Sequence, residues 1–83
     1  MPLLKRSVTL KGHRTSLALE SDFWAVLDQA AEERNRSLAS LISIIDARRD
    51  PEDALSSAVR VWALRYITQK LATATVTPDQ DQG

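Results

Sequence analysis

The chain of 83 residues contains no cysteine, one histidine, one methionine and two glycines, and its aromatic residues amount to 5% of the composition. Without cysteine there are no disulfides and no thiolate ligands, and His13 alone cannot assemble an imidazole site. Neither a metal centre nor a bound cofactor is therefore expected. No apolar run approaches the roughly 18 residues that a membrane span requires. The opening "MPLLKRSVTLKG" lacks the apolar stretch of a secretory signal. These absences predict a soluble, cytoplasmic protein without a membrane partner. A chain this short leaves much of its surface wet, so a second copy sharing the core is an expectation from size alone.

Excess charge of either sign is missing too. Eleven Lys and Arg balance eleven Asp and Glu, which at first argues against a polyanionic partner. The distribution argues otherwise. Lys5, Arg6, Lys11 and Arg14 all precede the first acid, Glu20. The first segment is purely basic, and two such segments brought together would form a positive stripe.

What is present is periodicity of two kinds. "KRSVTLKGHRTSLALE" alternates apolar and polar residues twice, Val8 and Leu10 before Gly12, Leu17 and Leu19 after it. This is the pattern of two short strands. Gly12 accepts positive φ and serves either a hairpin turn or a bend in an extended arm. Ser21 reads as a helix N-cap with Asp22 at the positive end of the dipole. A helix over about 22–34 follows, with Phe23, Val26, Leu27, Ala30 and Ala31 at helical spacing. Asn35 suits a left-handed helix end, and Ser37 caps a second helix over about 38–48. Leu38, Leu41, Ile42, Ile44 and Ile45 cover more than one face of it, which implies a partner helix. Pro51 in "RRDPED" suits the first position of a third helix, over about 51–72. No internal repeat is apparent, and 73–83 reads as a disordered tail.

One strand, a capped helix, the "ERNRS" turn and a second capped helix resemble the ribbon-helix-helix family of Arc and MetJ-type repressors, from Arg14 to about Ile45. "RSVTLKGHRTSLALESDFW" followed by "LSSAVRVW" is similar to a subgroup of single-domain bacterial proteins with an extra N-terminal strand and an extra C-terminal helix. The resemblance implies a mainly α fold with a short β-ribbon. It implies a homodimer whose strands, about 14–19, pair between chains and enter the DNA major groove. Residues 1–12 are then a basic arm or an extra strand over about 6–10, and 13–72 the domain with its additional helix.

Alternation assigns the faces. Leu17 and Leu19 point to a shared core, completed by Leu41, Ile42 and Ile45 as the dimer core, so Arg14, Ser16 and Ala18 point outward as base readers. Arg can grip guanine O6 and N7, Ser can donate or accept, and Ala can pack on a thymine methyl. The resemblance further implies a phosphate clamp at the start of the second helix, Ser37 with Arg36 beside it. Lys5, Arg6 and Lys11 are assigned to flanking phosphates. Trp24, Trp62 and Tyr66 fall in apolar stripes and read as core. No nucleophile–base pair, phosphate loop or ligand set appears at meaningful spacing, so an enzyme is not expected.

The extra strand opens a second reading. If it folds back on its neighbour, a dimeric sheet would have four strands about 4.8 Å apart and would be too wide for a groove of roughly 12 Å. The scaffold would then serve as a protein-interaction module or bind a small metabolite in a pocket around Arg14, Thr15, Ser16, Glu20 and Trp24.

Overall fold

A computed structural model describes residues 2–76, with two strands followed by three helices. Strands β1 (Leu3–Leu10) and β2 (His13–Glu20) form an antiparallel hairpin in which Leu10 faces His13 and Leu3 faces Glu20. Gly12 thus makes a hairpin turn and not a bend in a loose arm. Both turn residues are left-handed, Lys11 at φ 53° and Gly12 at φ 80°. Two-residue turns of this hand match the twist of the strands they join.

The strand β1 is longer than the sequence suggests, and β2 finds its partner within its own chain. Their shared inner face carries Val8, Leu10, Leu17 and Leu19, all buried. Beneath it lie α1 (Ser21–Glu33), α2 (Leu38–Arg48) and α3 (Leu55–Val76). Trp24, Leu27, Leu41, Ile42 and Val59 are at most 1% exposed and form the centre of the core. Burying a large apolar side chain stabilises by about 1.5–3 kcal/mol. Val8 and Leu10 alone therefore represent about 3–6 kcal/mol, a large share of what holds a small domain together. The partner helix that α2 requires is α3 of the same chain, which supplies Val59, Ala63 and Tyr66. The residues expected in a core between chains, Leu17, Leu19, Leu41, Ile42 and Ile45, lie in the core of this single chain, none more than 4% exposed.

The helix ends differ in how they are made. β2 runs directly into α1, so Glu20 and not Ser21 holds the N-cap position, without a side-chain cap bond. Its carboxylate is turned instead to Arg60 Nε, 3.0 Å away. At the other end of α1, Asn35 adopts φ 55°, the Asn35 amide donates to Glu32 O and the Arg36 amide to Ala31 O. This is the Schellman arrangement, which satisfies two terminal carbonyls. Ser37 caps α2 as expected, its hydroxyl accepting from the Ser40 amide at 3.0 Å.

Pro51 does not begin α3. Asp50 accepts the Glu52 amide on its side chain and the Asp53 amide on its carbonyl, so Asp50 and Pro51 occupy the first two positions of a turn, where both types are favoured. Arg49 fastens the turn through Asp46 at 2.7 Å and the Asp53 carbonyl at 2.6 Å, and the helix opens at Leu55. It continues to Val76, so residues 73–76, read from sequence as tail, are its last turn. Residues 77–83 lie outside the described residues.

Candidate nucleic-acid interface

Because side chains alternate along a strand, burying Leu17 and Leu19 turns Arg14, Ser16 and Ala18 to the other face of the hairpin. Arg14 and Ser16 are exposed and Ala18 is half-buried. Burial of Val8 and Leu10 does the same for β1, which brings Lys5, Ser7 and Thr9 onto that outward face, all exposed. The register sets Lys5 opposite Ala18, Ser7 opposite Ser16, and Thr9 opposite Arg14. Among the described residues, none of the side chains of Lys5, Ser7, Thr9, Arg14 and Ser16 is engaged in a hydrogen bond or ion pair. Glu20, at the end of β2 with the same parity as Arg14, Ser16 and Ala18, is paired with Arg60, and its own backbone amide together with that guanidinium holds its carboxyl below the usual range.

The residues assigned to phosphate contacts are distributed differently. Lys5 is on the outward face and Lys11 is exposed at the turn. Arg6 is on the inner side, opposite Leu17. Its guanidinium reaches both Asp28 oxygens at 3.1 and 3.2 Å and lies 4.6 Å over the Trp24 ring. The alternation that places Arg14 outward places Arg6 inward, because Arg6 shares its parity with Val8 and Leu10. Arg36 and Ser37 sit together at the start of α2, where Arg36 Nη1 donates to Ser40 Oγ at 3.2 Å.

Arg14, Thr15, Ser16, Glu20 and Trp24 do not converge on a pocket. Arg14 and Ser16 face outward, while Thr15 lies on the inner side opposite Val8. Glu20 is paired with Arg60, and Trp24 is buried with its indole Nε1 donating to Leu4 O at 2.7 Å. The surface grooves run along α3, beside Arg34, Trp62 and Arg65. Among the described residues, no group of His, Asp and Glu is placed to hold a metal ion. No helix among them is long and apolar enough to cross a membrane.

The described elements define a β-ribbon laid over a pair of capped helices, with one further helix closing the core. Residues 3–67 match the ribbon-helix-helix domain model, and the chain belongs to that family. Its members are typically DNA-binding transcription regulators built on a non-enzymatic fold. No curated protein and no solved structure matches the chain.

Proposed function

We propose that this protein is a sequence-specific DNA-binding regulator that acts as a homodimer and lays its β-ribbon in the major groove. The observation that carries this reading is the outward face of the hairpin, where Arg14 and Ser16 stand exposed beside Ala18 with no side-chain partner among the described residues. Arg14 offers a bidentate donor to guanine, Ser16 a hydroxyl that both donates and accepts, and Ala18 a methyl. The hairpin gives each chain a sheet of two strands, a width the groove accepts as long as the two copies associate through their helices and do not join their sheets into one of four strands. Lys11 at the turn and the Arg36–Ser37 start of α2 supply phosphate contacts. Val61 and Leu64, one turn apart on α3 and 44% and 63% exposed, put apolar surface on one side of that helix where a second copy could pack.

Equilibrium binding to duplex DNA over a range of salt tests this reading. The expected result is a steep fall of affinity with salt together with one sequence enriched from a random pool. A pool that emerges unenriched at low salt would count decisively against it. Sedimentation at micromolar concentration should give the mass of two chains.

A further inference from the structure

The hairpin register brings out a relationship that the linear sequence conceals. Lys5–Leu10 reads KRSVTL and Arg14–Leu19 reads RTSLAL. Aligned residue by residue, both begin with a cation, carry Ser at the third position, an aliphatic residue at the fourth, a small residue at the fifth and Leu at the sixth. The strands are antiparallel and Ser7 lies opposite Ser16. The two six-residue runs are thus related by an approximate twofold axis through that pair. It takes Lys5 to Arg14 and Thr9 to Ala18 on the outward face, and Val8 to Leu17 on the inner face.

We infer that this single chain carries a complete pseudo-symmetric reading ribbon, in which Lys5, Ser7 and Thr9 contact bases as Arg14, Ser16 and Ala18 do. Its target is a short duplex segment of approximate dyad symmetry. This rests on the DNA-binding reading above and extends it to a second strand. Same-face residues recur about every 6.7 Å along a strand and neighbouring strands lie about 4.8 Å apart. Lys5 and Arg14, two rungs apart on opposite strands, are therefore about 14 Å from each other across the face. That is about four base-pair rises of 3.4 Å. Both side chains are donors suited to guanine O6 and N7. A dyad of the protein aligned with a dyad of the duplex sets equivalent side chains against opposite DNA strands, so Lys5 and Arg14 select guanines on the two strands either side of the centre. The Ser7–Ser16 pair stands over the centre. Ala18 stands where the axis would place a second Thr, which makes the symmetry approximate, and the Thr9 methyl and hydroxyl give the richer contact to the end of the ribbon that carries Thr9 opposite Arg14.

Selection from random duplexes, performed with the full chain and with K5A and R14A, tests this directly. Wild type should enrich a short, nearly palindromic site. Each variant should lose preference at one guanine of the segment that each ribbon reads, in opposite halves of that segment, by roughly 5- to 100-fold. K5R, which keeps a guanine donor, should retain both halves, and thermal unfolding of all three variants close to wild type would show that the ribbon is intact. If K5A instead lowers affinity equally for every sequence and leaves the selected site unchanged, Lys5 only holds phosphate and the pseudo-symmetric ribbon is overturned, while the effect of R14A leaves the DNA-binding reading standing. If wild type enriches no site, that reading falls and this inference falls with it.

Discussion

Tyr66 donates its phenolic hydrogen to Glu33, so the last turn of α1 is fastened to the middle of α3. Lys70 Nζ reaches the second carboxylate oxygen at 2.6 Å, and Gln29 Nε2 approaches the same oxygen. Donation from Lys70 first, then from Tyr66 and Gln29, holds the Glu33 carboxyl at about 2 against an ordinary 4.5. Burial, then the neighbouring carboxylate, pushes the Tyr66 hydroxyl up, and the bond to Glu33 pushes Lys70 up.

A pH dependence follows from these directions. A depressed carboxyl contributes stability that is present in full above its unfolded value and disappears as the folded group protonates. The advantage of wild type over E33Q is therefore level from pH 4.5 up to the alkaline range and shrinks as pH falls from 4.5 through about 2. The raised Tyr66 and Lys70 act at the other end. Their contribution is present below their ordinary values, 10.0 and 10.5, and is lost as pH rises through the raised ones. Melting temperatures of wild type and E33Q between pH 2 and 11 check both limbs.

The hairpin turn should respond in opposite directions to substitution at its two residues. A Cβ on Gly12 would meet nothing within 4 Å, so the cost of G12A is that of φ +80° alone, about 1–2 kcal/mol. Lys11 already bears such a cost, and K11N, which places a side chain tolerant of this conformation there, should stabilise by about 0.5–1 kcal/mol. Denaturant unfolding reads both effects. K11N should at the same time weaken DNA binding at low salt, because it removes a charge at the end of the ribbon.

Arg6 and Arg14 should separate cleanly. R6A removes the pair with Asp28 and the cation over Trp24 and should destabilise by about 0.5–1.5 kcal/mol, with the selected DNA sequence unchanged. R14A should leave the melting temperature within a degree or two and relax the selected sequence. A shift of sequence preference in R6A would show that its guanidinium leaves Trp24 on binding.

Deleting residues 1–10 should abolish folding of the isolated chain. The deletion removes Val8 and Leu10 from the core and the Leu4 carbonyl from Trp24. About 3–6 kcal/mol of apolar burial goes with the two side chains, and the indole N–H is left without its acceptor. Far-ultraviolet circular dichroism of the shortened chain measures the loss. A helical spectrum with a cooperative melt would show that β1 is an accessory.

Much of this was legible where one local rule decides the outcome. Alternation alone places Leu17 and Leu19 inward and Arg14, Ser16 and Ala18 outward. A Ser ahead of an apolar helical run makes the Ser37 cap, and an Asn after one makes the left-handed Asn35. The sequence was harder to read where two local rules compete. Pro51 satisfies both a helix start and the second place of a turn, and Asp50 together with the Arg49 contacts decides for the turn. Ser21 is a good cap in isolation, but a strand running straight into α1 moves the cap position back to Glu20. Arg6 had a legible signal, its parity with Val8 and Leu10, which its membership of a basic cluster obscures. The likeness of KRSVTL to RTSLAL becomes visible only once the register sets Ser7 against Ser16, because an antiparallel repeat of six residues is too short to stand out along the chain.

The Lys11–Gly12 turn also settles a question of mass action. A ribbon assembled from two chains exists only in proportion to the dimer and dissolves on dilution, whereas two strands joined by a two-residue turn keep the same pairing at any concentration. Strand pairing across so short a loop is local in sequence and forms on the microsecond scale. The outward face of the hairpin is thus complete as each chain folds, and dilution does not take it apart.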